Sequence, residues 1–198
     1  MSHFGYIEKS IEETMSTKFL CLQIDNHINW KNHIEQMIPK LSGACYAIRS
    51  MVHISNINTF KSIYSAYFRS VIKYKIIFWG SSSNSGKIFI LHKKTVRIMA
   101  DAQPRTSCRS LFRQLEILPV SCQYILSLMS FISNNQEIFQ TDSSTHNINT
   151  RNKHHLHRPN ANLFYFQKST FYAGIKIFKV YNLVWQSWRM TKQNLKQL

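Results

Sequence analysis

The feature that most restricts what this chain can fold into is a change of period within KFLCLQIDNHINWKNHIEQMIPKL, residues 18–41. Phe19, Leu20, Leu22 and Ile24, with Gln23 and Asp25 between, alternate as one strand of a small hairpin does. From Trp30 the apolar residues fall instead at Ile34, Met37, Ile38, Leu41, Ala44, Cys45 and Ile48. That is the stripe of an amphipathic helix, and Asn29 stands where a cap is needed. The stretch Asp25–Trp30 is therefore a joint between two pieces of architecture.

The same reading extends in both directions. Two short strands are predicted near Phe4–Ile7 and Lys18–Asp25, with Glu8, Glu12 and Glu13 on their connection. The first long helix covers Trp30–Ser50, and Pro39 is expected to kink or split it by removing a backbone donor. Ser55–Asn58 offers cap chemistry for a second helix with Phe60, Ile63, Tyr64, Tyr67, Phe68 and Val71 inward, ending near Tyr74. Ile76–Trp79 forms a short extended or helical turn, and Ser81–Gly86 a loop. A third helix, Lys87–Ala100, has Ile88, Leu91, Thr95 and Met99 on one side. In a fourth, within Ile117–Gln136, Tyr124, Ile125, Leu128, Phe131 and Ile132 face inward, and Gln123, Ser127, Ser130 and Asn134 share the polar face. The polar residues in this charge-free run make it an amphipathic helix rather than a membrane span. The fold class is mainly α, a helical bundle preceded by a small β-hairpin and followed by an irregular basic C-terminal arm. The boundaries are 1–28, 29–140 and 141–198, with part of the arm expected to be disordered.

Charge narrows the function. Twenty-five Lys and Arg against nine acidic residues give +16 and a pI near 9.9, which points to a polyanionic partner, nucleic acid or an anionic membrane surface. Lys93, Lys94 and Arg97 lie on the polar side of the third helix. Arg105, Arg109 and Arg113 recur at every fourth residue just beyond it. Phosphate contacts need only cations at suitable spacing, so these six are the candidate nucleic-acid contacts. The tract Lys153–Arg158 holds three histidines, but no further ligand of suitable spacing is near, and a basic loop is the better reading than a zinc site. Aromatics among Lys168, Lys176 and Lys179 suit either base stacking or anchorage of the tail on the core, and anchorage is preferred. Cys21, Cys45, Cys108 and Cys122 form no CxxC pair and are expected as free thiols in a reducing compartment. The opening residues MSHFGYIEKSIEE carry acids and lack an apolar run, so an intracellular location, nucleus or cytoplasm, is expected.

Several linked blocks carry a family resemblance. The pattern KFLxLxID…INWxxHI, then YxxYFRSVIKYxIIFWG (Tyr64–Gly80), LHKKTVRIM (Leu91–Met99) and SCRSLFRQLEILPV (Ser107–Val120), resembles the end of the palm and the thumb in reverse transcriptases of non-LTR retrotransposons, particularly jockey-type elements of insects. The likeness covers roughly residues 5–178. It implies that the hairpin is primer-grip-like, through Lys18, Phe19, Leu20 and Leu22, and that the helices form a thumb holding a template–primer duplex of RNA and DNA. It also implies a fragment whose catalytic palm, with its Mg, lies upstream of Met1. Cys21, Lys75 and Asp101 stand where the family pattern usually carries glycine, and residues after Phe178 depart from it. Both departures point to a decayed genomic copy.

No catalytic residue is assigned. Two-metal nucleotidyl transfer needs carboxylates converging on one site, and Asp25, Asp101 and Asp142 are isolated in sequence. No GxSxG elbow and no Gly-rich phosphate loop occur either. The expectation is a chain inactive by itself, without a cofactor or small-molecule substrate of its own. The alternatives are a basic helical module for RNA or anionic lipid, and a translated relic without function.

Overall fold

In a computed structural model of the protein, residues 14–51, 56–146 and 155–181 are described. Strands β1 (Ser16–Phe19) and β2 (Leu22–Asp25) pair antiparallel, with Phe19 opposite Leu22 and Ser16 opposite Asp25. Lys18–Asp25 is thus a complete tight hairpin rather than one strand, because Leu20 and Cys21 both take positive φ (45° and 63°) and reverse the chain in two residues. The strand expected at Phe4–Ile7 lies outside the described residues.

Helix α1 (Lys31–Ser50) follows, burying Ile34, Met37, Leu41, Ala44, Cys45 and Ile48 along the predicted stripe. It runs unbroken through Pro39, whose ring sits on the exposed face. Asn29 does not cap it. The Asp25 carboxylate accepts instead from the backbone N–H of Asn29 (2.8 Å), Trp30 (2.7 Å) and His27 (3.2 Å), so one side chain of β2 both ends the hairpin and starts the helix.

The second helix is α2 (Ile57–Ile63), capped by the Asn56 side chain at Thr59 N–H (2.9 Å). It continues through a π-helical turn at Tyr64–Arg69 into α3 (Ser70–Lys73). The π turn explains a departure from the predicted pattern. The buried residues of this helix are Phe60, Tyr64, Phe68 and Ile72, a strict four-residue repeat, while Tyr67 is exposed. In an α-helix such a repeat would drift by about 40° at each step. The wider π turn absorbs that drift and keeps the residues on one core line.

Next come α4 (Ile76–Trp79), α5 (Ser85–Met99), α6 (Cys108–Gln114) and α7 (Val120–Asn134). Helices α1 and α5 pack along each other, α6 lies on α5, and α4 meets α7. Gly80 makes that last approach feasible, since a Cβ there would sit 2.7 Å from the Ile76 carbonyl and closer still to the edge of the Tyr124 ring. The core is continuous from Leu22 through Trp79 and Phe112 to Leu128. Its indole donor is satisfied, Trp79 Nε1 donating to Tyr74 O at 3.1 Å.

The C-terminal region supplies a second, smaller core. Residues 140–142 and 155–157 come together through a bridge between Thr141 and Leu156, followed by α8 (Asp142–His146) on the first side. Beyond α9 (Phe164–Gln167) a further helix, α10, spans 170–181. Met129, Ile132, Phe139, Leu156, Ile175 and Phe178 pack together, so residues of the expected arm are fastened to the far end of α7. Among the described residues, no helix is long and apolar enough to cross a membrane.

Candidate nucleic-acid interface

Helix α5 sets the geometry of the basic surface. Ile88, His92, Thr95, Val96 and Met99 are buried, which leaves Lys94 on the exposed side and Lys93 and Arg97 at its margins. Leu91, predicted inward, is only partly covered, and His92 takes the innermost place. Its Nε2 shares a 2.7 Å hydrogen bond with the Tyr64 hydroxyl, and it packs among Tyr64, Phe68 and Phe112. Burial lowers the His92 pKa to about 4, so the ring is neutral and contributes nothing to the basic surface at neutral pH. His33 is also buried, and its pKa is lowered by burial and then by the nearby Lys40 charge.

The six predicted cations do not form one patch. Lys94 and Arg97 line a groove of about 580 Å³ together with Arg49 from the end of α1. Ile90, Ile98, Ala102 and Pro104 give it apolar walls, and Asp101 is its one acid. Lys93 leans back onto the Phe89 ring, 4.7 Å from its centroid. Arg97 donates from Nε to the Thr106 carbonyl (3.0 Å), which pins the loop after α5 and leaves its outer N–H groups for the groove. Arg105 stands exposed on that loop, and Arg109 and Arg113 are exposed on the outer face of α6, outside the groove lining. None of the six has a carboxylate within ion-pair distance among the described residues, whereas Lys87 is occupied by Glu35 (3.3 Å) and Lys61 by Glu116 (3.2 Å). Arg49 escaped the sequence reading because it lies in α1, 45 positions from Lys94, and only the α1–α5 packing brings it alongside.

At the hairpin, Lys18, Phe19 and Leu20 are exposed, with Phe19 and Leu20 about 60% accessible at the tip. Leu22 is different: it is 4% exposed and anchors the hairpin in the core, so it is not a surface contact. The tip is held down by two donors to the Leu20 carbonyl, the Tyr74 hydroxyl and Lys75 Nζ.

The tail closes over the joint. Lys168 Nζ donates to the His27 carbonyl (3.1 Å) and to Asn29 Oδ1 (2.9 Å), and Thr170 donates to the Ile77 carbonyl (3.0 Å). Asn29, predicted as a helix cap, is thus the acceptor for a tail lysine. The aromatics divide: Phe171 stacks on Phe139 at 4.4 Å and Phe178 is buried, as anchorage requires, while Phe164, Tyr165 and Phe166 remain exposed beside Lys168.

The three aspartates have separate local roles: Asp25 caps α1, Asp101 borders the groove, and Asp142 pairs with His157 (3.3 Å) and Lys179 (3.7 Å). His157 also lies edge-on to His146, yet no group of three His, Cys, Asp or Glu among the described residues is arranged to hold a metal ion. Lys153 and His154 lie outside the described residues. Gln123, predicted on the polar face of α7, is buried at 3% exposure, and its Oε1 has no hydrogen-bond partner among the described residues. Comparison with protein-family models, curated proteins and solved structures gives no match.

Proposed function

We propose that this chain is the non-catalytic part of a reverse transcriptase of a non-LTR mobile element, holding a template–primer duplex by its phosphates while catalysis occurs elsewhere. The observation that carries the reading is the Arg49–Lys94–Arg97 groove, three cations converging from two helices with no carboxylate partner among the described residues. Its chemistry suits phosphate oxygens, which accept from guanidinium and ammonium donors without reporting sequence. Arg105, Arg109 and Arg113 are further exposed cations, on the loop after α5 and on α6, outside the groove. The hairpin, with Lys18, Phe19 and Leu20 exposed and Leu22 as its root, supplies a rigid projection against which a primer end would rest. The thumb reading also rests on the linked motif blocks from Lys18 to Val120.

A second reading, a translated relic, is favoured by the backbone. Cys21, Lys75 and Asp101, the three positions where the resemblance expects glycine, all have positive φ (63°, 49° and 48°). Side chains there strain the fold, and the one that reaches the groove, Asp101, brings an acid to it.

Salt titration of binding to an RNA–DNA hybrid, to single-stranded RNA and to acidic vesicles tests the proposal. Sequence-indifferent, salt-sensitive binding that favours the hybrid supports it. Preference for vesicles, or no saturable binding to any of the three, rejects it.

A further inference from the structure

The groove that holds the three unpaired cations is also lined by an acid, and the fold makes no use of that acid's side chain. Asp101 is exposed on the groove wall. Its carboxylate has no hydrogen-bond or ion-pair partner among the described residues, although Arg49, Lys94 and Arg97 line the same groove. The backbone of Asp101 stands at φ 48°. A side chain is disfavoured there, and such departures gather where function retains them. The position is also rigid. Asp101 N–H bonds the Ile98 carbonyl (3.2 Å) and Ala102 N–H the Arg97 carbonyl (2.9 Å), so one helix-ending motif fixes the acid relative to Arg97. Arg97 is tied in turn through Nε to the Thr106 carbonyl (3.0 Å).

A bare carboxylate beside bound phosphates lowers affinity by like-charge repulsion unless a donor faces it. A sugar–phosphate backbone offers one such donor, the ribose 2′-hydroxyl, which RNA carries and DNA lacks. We propose that Asp101 accepts from a ribose 2′-hydroxyl while the three cations hold the flanking phosphates, so that the groove takes the RNA strand of the hybrid. The assignment rests on the duplex-holding reading above and adds strand choice to it. Dinucleotide-binding folds divide the work in the same way, a carboxylate on the sugar hydroxyl and neighbouring donors on the phosphate. Ile98, Ala102 and Pro104 offer apolar wall to the C–H faces of the sugar.

Competitive titration of the full chain at fixed salt tests it, with an RNA–DNA hybrid and the same hybrid carrying 2′-fluoro in place of each 2′-hydroxyl. Fluorine keeps the A-like helix and removes the donor, so shape and hydroxyl are separated. The hydroxyl form should bind about tenfold more tightly, the effect of one hydrogen bond to a charged acceptor. In Asp101→Gly, which relieves the backbone and so keeps the fold, the two hybrids should bind alike. Equal affinities in the natural chain, or a preference that survives in Asp101→Gly, overturns the proposal. Salt-sensitive hybrid binding that persists through such a result leaves the groove standing. Absence of saturable hybrid binding rejects the groove and the role of Asp101 together.

Discussion

The Tyr74 hydroxyl donates to the Leu20 carbonyl at 2.7 Å, joining the end of α3 to the hairpin tip 54 residues earlier. Lys75 Nζ reaches the same oxygen at 3.2 Å. The turn between β1 and β2 has no Asn-Gly or Asp-Gly to favour it, so this non-local clamp compensates for weak turn chemistry. Tyr74→Phe should therefore cost about 1 kcal/mol. Hydrogen exchange is the check: amides of residues 16–25 should exchange faster, and those of α5 should not.

The left-handed positions should respond unequally to glycine. Cys21→Gly and Asp101→Gly should each stabilise the protein by about 1 kcal/mol, read from the urea midpoint, because glycine removes the Cβ clash of left-handed backbone. Asp101 has Ala102 N–H bonded to the Arg97 carbonyl (2.9 Å) and its own N–H to that of Ile98 (3.2 Å), a helix end that glycine fits best. Lys75→Gly should gain less, since it also removes the bond to Leu20 and the contact with the Tyr74 ring. A larger gain at Lys75 than at Cys21 would contradict this account.

Gly80→Ala should be destabilising. The added methyl meets the Ile76 carbonyl and the Tyr124 ring where α4 touches α7, and overpacking of this kind costs about 1–3 kcal/mol. Gly43, with nothing near its missing Cβ, is the control: Gly43→Ala should be neutral or stabilising in the same thermal melt.

Acid should weaken the core through His92. Its folded pKa, about 4, lies below the ordinary 6.5, so between these values the unfolded chain binds a proton that the native chain refuses. The stability that the neutral ring preserves is complete above pH 6.5, declines as pH falls toward 4, and changes no further below it. The decline is of order 3 kcal/mol. Unfolding free energies measured across pH 7 to 4 check the slope, and an NMR titration in which the His92 ring protonates near pH 6.5 would refute it.

Removing one groove cation should reduce hybrid-duplex affinity uniformly across sequences and lower the salt slope by about 0.9 for each phosphate no longer neutralised. Lys94→Ala is the cleanest variant, since Lys94 is exposed, whereas Arg97 also holds the Thr106 carbonyl. Lys87→Ala should change the slope less, because that ammonium is already paired with Glu35.

The amino-acid order alone determined the change of period at Asp25–Trp30, the inward stripes of α1 and α7, and the preponderance of helix. Each of these follows from repeats within a few turns of chain. The four-residue line through Phe60, Tyr64, Phe68 and Ile72 was also present in the sequence. A fixed 3.6-residue period hid it, and only the π turn made it a core face.

Tertiary structure decided the rest. It chose Asp25 over Asn29 as the cap, buried Gln123, fastened Ile175 and Phe178 to α7, and set Arg49 beside Lys94. These outcomes depend on which distant segments meet, as Tyr74 meets Leu20. A local pattern specifies the face a helix offers, while the competition among all such faces for one core specifies the neighbour it receives.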